Sequence, residues 1–135
     1  MRLLLILTAL AAAAHTDTPY WTDPETHLIW AAADNGSGIS RLQAERFCRA
    51  STLGGFHDWR LPNIDELQSL YGGTQSENGR RVRGPITLTG WEWSPSSGEQ
   101  PGEAWAFDFA DGGRASVAGG DSGLNRALCV RSGAR

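Results

Sequence analysis

The sequence predicts an α+β domain in which an N-terminal hairpin and two short helices precede a strand-rich C-terminal half with long loops. Two segments start with a polar N-cap residue, Ser40 and Asn63, followed three positions later by Gln or Glu, as helices commonly begin. Short β-rich runs alternate elsewhere with glycine-rich stretches, and the 17 glycines indicate many turns. Because the helices are grouped instead of alternating with strands, the order favours α+β over α/β.

The first 14 residues are predicted to be an export signal. Arg2 precedes the apolar run LLLILTALAAAA, and the alanines at 12–14 form a small-residue cleavage site. An apolar run of 12 residues is too short to cross a bilayer. We therefore expect a signal peptide over residues 1–14 and a single mature domain over residues 15–135. This domain is expected in the periplasm or outside the cell, without a membrane span.

The formal net charge of the chain is −3, and removal of Arg2 with the signal makes it −4. A mildly acidic body has no general attraction for a phosphate backbone. Nucleic acid is therefore not expected as a partner.

The mature chain is expected to open with a β-hairpin that leads into the first helix. Residues 20–22 and 27–30 are rich in aromatic and β-branched side chains and flank a turn that contains proline. The first helix begins after Ser40 and is predicted to end at Gly54 and Gly55.

The second helix follows the sequence Trp-Arg-Leu-Pro. Pro62 biases Leu61 toward an extended conformation and so ends the preceding short strand. Asn63 and Glu66 form a capping box, and Gly72 is predicted to end the helix.

Three tryptophans, Trp30, Trp59 and Trp105, lie in strands or turns that the apolar pattern buries, so we expect them in the core. Arg60 follows Trp59 directly, and we expect its guanidinium to be partly buried and paired. The candidate carboxylates are those of Asp58, Asp65 and Glu66.

Residues 72–84 lack apolar periodicity and are predicted to form a long exposed loop. Arg80, Arg81 and Arg83 in this loop form the only dense basic cluster of the chain. Either they are solvated, or their planar guanidinium groups bind sulfate or carboxylate groups of an anionic glycan. Because the loop carries no core residue, we expect these arginines to be dispensable for folding.

The following residues return to a strand pattern at 86–89 and again from Trp91 onward. Trp91 and Trp93 are two positions apart and so point to one side, whereas Glu92 faces the other. Both indoles border the long loops and are candidates to pack against the apolar face of a sugar ring.

The last part of the chain is predicted to contain three strands. Trp105, Phe107 and Phe109 alternate with smaller residues, which predicts a strand with one aromatic face. Residues 111–113 (DGG) predict a tight hairpin, and residues 127–131 predict the closing strand.

Several of these segments together resemble the Lcl C-terminal domain family, a bacterial C-type-lectin-like family. The resemblance is carried by residues 54–67 (GGFHDWRLPNIDEL), 27–30 (HLIW), 90–94 (GWEWS), 104–109 (AWAFDF) with 111–113, and 126–131 (RALCVR). It implies a C-type-lectin-like fold and a role in binding surface glycans or in adhesion. The collagen-like adhesin that gives the family its name also has a Gly-X-Y repeat that drives trimerisation. This chain lacks such a repeat, so trimers and adhesion do not carry over directly.

The two cysteines, Cys48 and Cys129, allow one disulfide or none. The export signal places both in a compartment where disulfides persist. The resemblance implies that they pair, because C-type lectins join the first helix to the last strand in this way.

Many C-type lectins bind sugar through calcium, and residues 99–103 superficially resemble their Gln-Pro-Asp motif. Gly102 replaces the acid, and Ca²⁺ requires six to eight oxygen ligands. We expect no metal or other cofactor, with Glu99, Glu103 and Asp108 as weak candidates for calcium.

An enzymatic alternative comes from formylglycine-generating enzymes, which also contain a Trp-Arg-Leu-Pro segment. Those enzymes use two active-site cysteines that bear copper, whereas the expected disulfide occupies both cysteines here. His57 beside Asp58 could suggest an acid-base pair, but adjacent side chains on an extended segment diverge, which favours a structural histidine. We therefore expect no catalytic activity.

The leading hypothesis is an exported, non-catalytic binding domain for a glycan, a polysaccharide or another surface ligand. The predicted ligand-binding residues are Arg80, Arg81, Arg83, Trp91 and Trp93. Should the arginine loop not bind, the site is expected at residues 99–103 or 118–123. The alternative is a periplasmic scaffold whose loops contact a partner protein.

Overall fold

A computed structural model describes residues 18–133, so the predicted signal peptide over residues 1–14 lies outside the described part of the chain. The helices are α1 (Arg41–Ala50) and α2 (Ile64–Leu70). The strands are β1 (Tyr20–Thr22), β2 (Ile29–Ala31), β3 (Tyr71–Gln75), β4 (Arg81–Val82), β5 (Trp91–Ser97), β6 (Glu103–Asp108), β7 (Gly113–Ala118), β8 (Asn125–Arg126) and β9 (Val130–Arg131). Within residues 18–133, no helix is both long and apolar enough to cross a membrane.

The strands form three sheets. β1, β2 and β9 make an antiparallel sheet, β3 and β4 make a two-stranded ribbon, and the largest sheet has the order β7-β6-β5-β8. The predicted N-terminal hairpin is confirmed by the pairing of Trp21 with Trp30, and Trp30 also pairs with Val130 near the C-terminus. The predicted α+β class is therefore confirmed.

Both predicted helix starts are confirmed, since Ser40 and Asn63 each form a complete capping box. The predicted helix ends are wrong. Helix α1 ends at Ala50, before a separate 3-10 turn at Leu53–Gly55. Helix α2 ends at Leu70, because Tyr71 adopts an extended conformation and begins β3.

The prediction of a loop over residues 72–84 is wrong, because β3 and β4 pair within it. Gly72 and Gly73 have positive φ angles of 134° and 76°, and the register between the strands is irregular there. Such irregular backbone suits glycine, which has no Cβ to clash. The pattern of apolar residues did not predict this ribbon, because most of its side chains are not buried and need not be apolar.

Two strand predictions also need correction. Residues 86–89 contain only an isolated bridge, between Thr87 and Ala33. Of the predicted closing strand at residues 127–131, only Val130–Arg131 form a strand, β9, which pairs with β2, and the preceding strand β8 pairs with β5 instead. The chain therefore changes sheet between residues 126 and 130.

The core lies between these sheets and the two helices. Its largest fully buried side chains include Trp30, Trp93, Phe107 and Phe109. The Sγ atoms of Cys48 and Cys129 are 2.09 Å apart, which confirms the predicted disulfide between α1 and the segment before β9. Trp59 is buried as predicted.

Trp105 departs from the prediction of a core position, because its side chain is only half-buried. It pairs with Ser116 across the sheet, on the face opposite to Ala104 and Ala106. Both alanines are buried, so the face of β6 that carries Ala104 and Ala106 belongs to the core.

Candidate functional site

The three predicted arginines do not form one free basic patch among the described residues. The guanidinium of Arg83 lies 2.6 Å from Asp23 and 3.2 Å from Glu25. Asp23 is completely buried, in the turn between β1 and β2. Burial alone would raise the pKa of Asp23, but hydrogen bonds from Arg83, the Glu25 amide and the Thr26 hydroxyl lower it below its ordinary value. Arg83 therefore has a partner within the fold, which argues against the prediction that all three arginines are dispensable for folding.

The other two arginines have different surroundings. Arg81 is exposed and donates from Nη1 to the carbonyl of Gly73 at 3.3 Å. Arg80 is half-buried, and its Nε atom is buried without a hydrogen-bond partner in the described region. Of the predicted cluster, only Arg81 presents an exposed side chain.

The two candidate tryptophans on β5 also differ in how deeply they are buried. Trp93 is completely buried and donates its indole N–H to the carbonyl of Ile39 at 2.7 Å. It has no surface for a ligand, so its predicted ligand contact is wrong. Trp91, at the start of β5, is half-buried and borders an open groove.

This groove, the Trp91 groove, has a volume of about 260 Å³. It is lined by Trp91, Ala115, Val117, Asp121, Gly123, Leu124 and Asn125. Trp93 pairs with Ala106, which pairs with Ala115, so the period of two places Trp91, Ala115 and Val117 on one face of the sheet. Of the two alanines, Ala115 lines the groove and Ala106 is fully buried.

The opposite wall of the groove is the segment from Asp121 to Asn125. The amide of Trp91 donates to the carbonyl of Leu124 at 2.9 Å. The side-chain amide of Asn125 donates to the carbonyl of Asp121 at 3.0 Å. The first bond holds the segment against β5, and the second closes the segment on itself. The Leu124 side chain nevertheless stays 68% exposed.

The polar chemistry of the groove is concentrated at Asp121. Its Oδ1 accepts the amide of Gly123 at 3.1 Å, and its Oδ2 accepts no hydrogen bond from a described residue. None of the seven lining residues is Arg, Lys, His, Ser or Cys. The groove thus offers an indole, aliphatic side chains and one carboxylate that can accept hydrogen bonds.

A comparison of the chain with known protein families identifies the family to which it belongs. The sequence profile of the Lcl C-terminal domain family matches residues 20–131. The chain belongs to the Lcl C-terminal domain family. The match runs from β1 to β9 and includes every residue of the Trp91 groove. No curated protein matches the chain significantly.

A second cleft of this Lcl C-terminal domain, of about 240 Å³, is lined by Glu45, Arg49, Arg60, Leu61, Asn63 and Pro95. Glu66 lies 2.8 and 2.9 Å from the two Nη atoms of Arg60, which confirms the predicted pairing of this arginine. Of the other candidate carboxylates, Asp58 contacts Arg131 and Asp65 contacts Arg114. Because Arg60 is already paired, this cleft is less suited to a charged ligand than its composition indicates.

The weak calcium candidates of this domain are not brought together in a metal site. Glu103 accepts the hydroxyl of Ser116 at 2.6 Å, Asp108 accepts the amide of Ala110 at 2.8 Å, and Glu99 is exposed. Within residues 18–133, no group of three or more His, Cys, Asp or Glu side chains could hold a metal ion.

Sequence reasoning placed Glu92 opposite the tryptophans but did not recognise it as a buried acid. The residue is completely buried, and neither carboxylate oxygen accepts a hydrogen bond from a described residue. Burial raises the pKa of Glu92 well above its ordinary value, and the neighbouring Asp34 raises it further, while Arg126 and Arg80 act in the opposite direction. A protonated Glu92 can donate to Asp34. The charged residue between two tryptophans, Trp-Glu-Trp, was the available signal.

Proposed function

We propose that this domain is an exported, non-catalytic binding module that recognises a saccharide in the Trp91 groove. The observation that carries the proposal is a half-buried indole beside an accessible carboxylate in an open groove. The C-type-lectin-like fold implied by the family resemblance is part of the proposal. In that fold, the loops of the strand-rich half commonly hold the ligand.

The two chemical features of the groove match the two surfaces of a sugar ring. The apolar C–H face of a pyranose packs against an indole, while its hydroxyl groups donate hydrogen bonds at the edge of the ring. Hydrogen bonds to an ionised acceptor such as Asp121 are stronger than those to a neutral one. A volume of about 260 Å³ is slightly below the usual range of small-molecule sites, roughly 300–1,000 Å³. This size favours a short saccharide unit over a large ligand.

The composition of the groove supports binding without catalysis. Glycosidases generally use two carboxyl groups on either side of the scissile bond. Among the lining residues, Asp121 is the one carboxylate. The cysteine chemistry of formylglycine-generating enzymes is also not supported, because Cys48 and Cys129 are bonded to each other.

Replacement of Trp91 tests the proposal. We expect Trp91→Ala to weaken the binding of an oligosaccharide at least about two- to tenfold, because aromatic packing contributes roughly 0.5–1.5 kcal/mol beyond burial of area. Isothermal titration calorimetry against ligands selected on a glycan array measures this loss.

The matched control is Trp105→Ala, which removes another half-buried indole from the neighbouring strand. Trp105 lies on the opposite face of the sheet and does not line the groove. Equal losses from the two variants would contradict a site at Trp91.

The alternative of a protein-interaction scaffold has weaker support. Helix α1 exposes Leu42 and Phe47, at 49% and 45% of their surfaces. Five positions on a helix correspond to about 140° of rotation, so these side chains do not share one stripe. They lack the continuous apolar face that a docked protein requires.

Export is the remaining part of the proposal and rests on the leader-like residues 1–14. Expression of the full chain followed by cell fractionation and intact mass tests it. We expect a periplasmic or extracellular product that begins near His15. Cytoplasmic full-length protein would contradict export without affecting the proposed binding site.

A further inference from the structure

The charged side chains that line the Trp91 groove are of one sign. Its lining includes one ionised side chain, Asp121, and no cationic residue. Asp121 keeps one carboxylate oxygen without a hydrogen-bond donor from the described residues. The side chains that line the groove therefore carry a negative formal charge.

Two arginines near the groove, Arg126 and Arg41, are held by contacts with other groups. Arg126 follows the groove residue Asn125 in β8, but its Nε donates to the Thr89 hydroxyl at 2.9 Å. Its Nη1 contacts the carbonyls of Gly123 and Asn125, each at 3.3 Å. The backbone amide of Arg41 donates to the carbonyl of Gly119 at 2.9 Å, and its guanidinium forms an ion pair with Glu45. Neither guanidinium lines the groove.

We propose that the Trp91 groove selects uncharged saccharides and disfavours sulfated or uronic ones, with Asp121 as the residue that sets this preference. The inference rests on the proposed function, since it concerns the ligand of the same site. A hydroxyl group of a neutral sugar donates to the free carboxylate oxygen of Asp121. A sulfate or uronate in the same position has no proton to donate and is repelled by the carboxylate.

The repulsion acts over the dimensions of the groove. Like charges interact appreciably within a Debye length, about 8 Å at physiological salt, and less at higher salt. A ligand charge in a groove of about 260 Å³ lies within that distance of Asp121. Binding of an acidic saccharide should therefore improve as salt rises, opposite to the salt dependence of an arginine-based site.

The experiment compares a neutral oligosaccharide with the uronate of the same length and linkage, by calorimetry at low and high salt. We expect the neutral ligand to bind at least about tenfold more tightly at low salt, and the difference to shrink as salt rises. Asp121→Asn should weaken the neutral ligand several-fold and strengthen the uronate. The neutral amide retains the Oδ1 acceptor for the Gly123 amide, so the turn is preserved.

Asp111→Asn is the matched control. Asp111 accepts the amide of Gly113 through Oδ1 at 2.9 Å, the same turn that Asp121 makes with Gly123, but it lies outside the groove. We expect no change in either affinity from Asp111→Asn. Equal effects of the two substitutions would overturn the role of Asp121.

Two further outcomes separate this inference from the proposed function. Tighter binding of the uronate than of the neutral ligand, lost in Trp91→Ala, would overturn the preference while supporting the saccharide site. Absence of any saccharide binding that depends on Trp91 would overturn both.

Discussion

Glu92 is a carboxyl group that the protein encloses completely, next to a second carboxyl group at Asp34. The Asp34 carboxylate already accepts the amide and the hydroxyl of Thr89, at 2.7 and 2.8 Å. By keeping its proton, Glu92 avoids an uncompensated buried charge. An ionised carboxylate without partners is costly inside a protein, so the raised pKa of Glu92 follows from its position.

The raised pKa predicts that stability decreases toward alkaline pH. Above the ordinary pKa of glutamate, the unfolded state releases a proton that the folded state retains at Glu92, so stability falls as pH rises through the folded pKa. Glu92→Gln should remove this part of the pH dependence and so gain stability relative to the parent as pH rises. Urea unfolding at pH 5, 7 and 9 measures the difference.

Glu99→Gln, at an exposed glutamate, is the control for the loss of one acid. We expect it to keep the pH dependence of the parent. A Glu92→Gln variant that follows the parent at all three values of pH would show that Glu92 does not bind the extra proton.

At the scale of elements, the β3–β4 ribbon is joined to the N-terminal hairpin by the Arg83–Asp23 ion pair. Arg83 follows β4, and Asp23 lies in the turn after β1. The guanidinium also donates from Nε to the carbonyl of Ser69 in α2 at 2.9 Å. One side chain therefore connects the ribbon, the N-terminal hairpin and α2.

Loss of Arg83 should destabilise the fold. We expect Arg83→Ser to lower the free energy of unfolding by about 3–5 kcal/mol, because it leaves the buried Asp23 carboxylate without its cation. Arg81→Ser, at an exposed arginine of the same ribbon, should change it by no more than about 0.5 kcal/mol. Urea unfolding at neutral pH compares the two variants, and similar stabilities would contradict a structural role for Arg83.

At the scale of the whole molecule, the disulfide joins α1 to the C-terminal segment across a sequence separation of 81 residues. The same C-terminal segment is bound to the turn before α2, since Arg60 and Val130 exchange two backbone hydrogen bonds of 2.9 Å. Helix, turn and final strand are thus connected in one region of the core.

Removal of the disulfide should cost about 4.5 kcal/mol, on the chain-entropy estimate for a loop of this length. We expect Cys48→Ala combined with Cys129→Ala to lower the free energy of unfolding by that order, as measured in urea. A reductant should destabilise the parent similarly and leave the double variant unchanged. A parent protein that is insensitive to reductant after unfolding would contradict a bond between these cysteines.

The sequence by itself predicted the features that depend on neighbours three or four residues apart. Both helix starts were correct because a capping box is formed within one turn. The N-terminal hairpin was correct because its strands are joined by a short turn that contains proline. The prediction of a disulfide followed from having two cysteines and a family resemblance, and bonding between them was confirmed.

Only the tertiary structure decided which side chains face solvent. Trp91 and Trp93 have the same local pattern, but one lines a groove and the other is enclosed beneath Ile39, 54 residues away in sequence. Arg83 is separated by 60 residues from Asp23, the carboxylate that holds it. The physical reason is that burial and charge pairing depend on contacts between distant segments, and neither spacing nor periodicity encodes which segments meet.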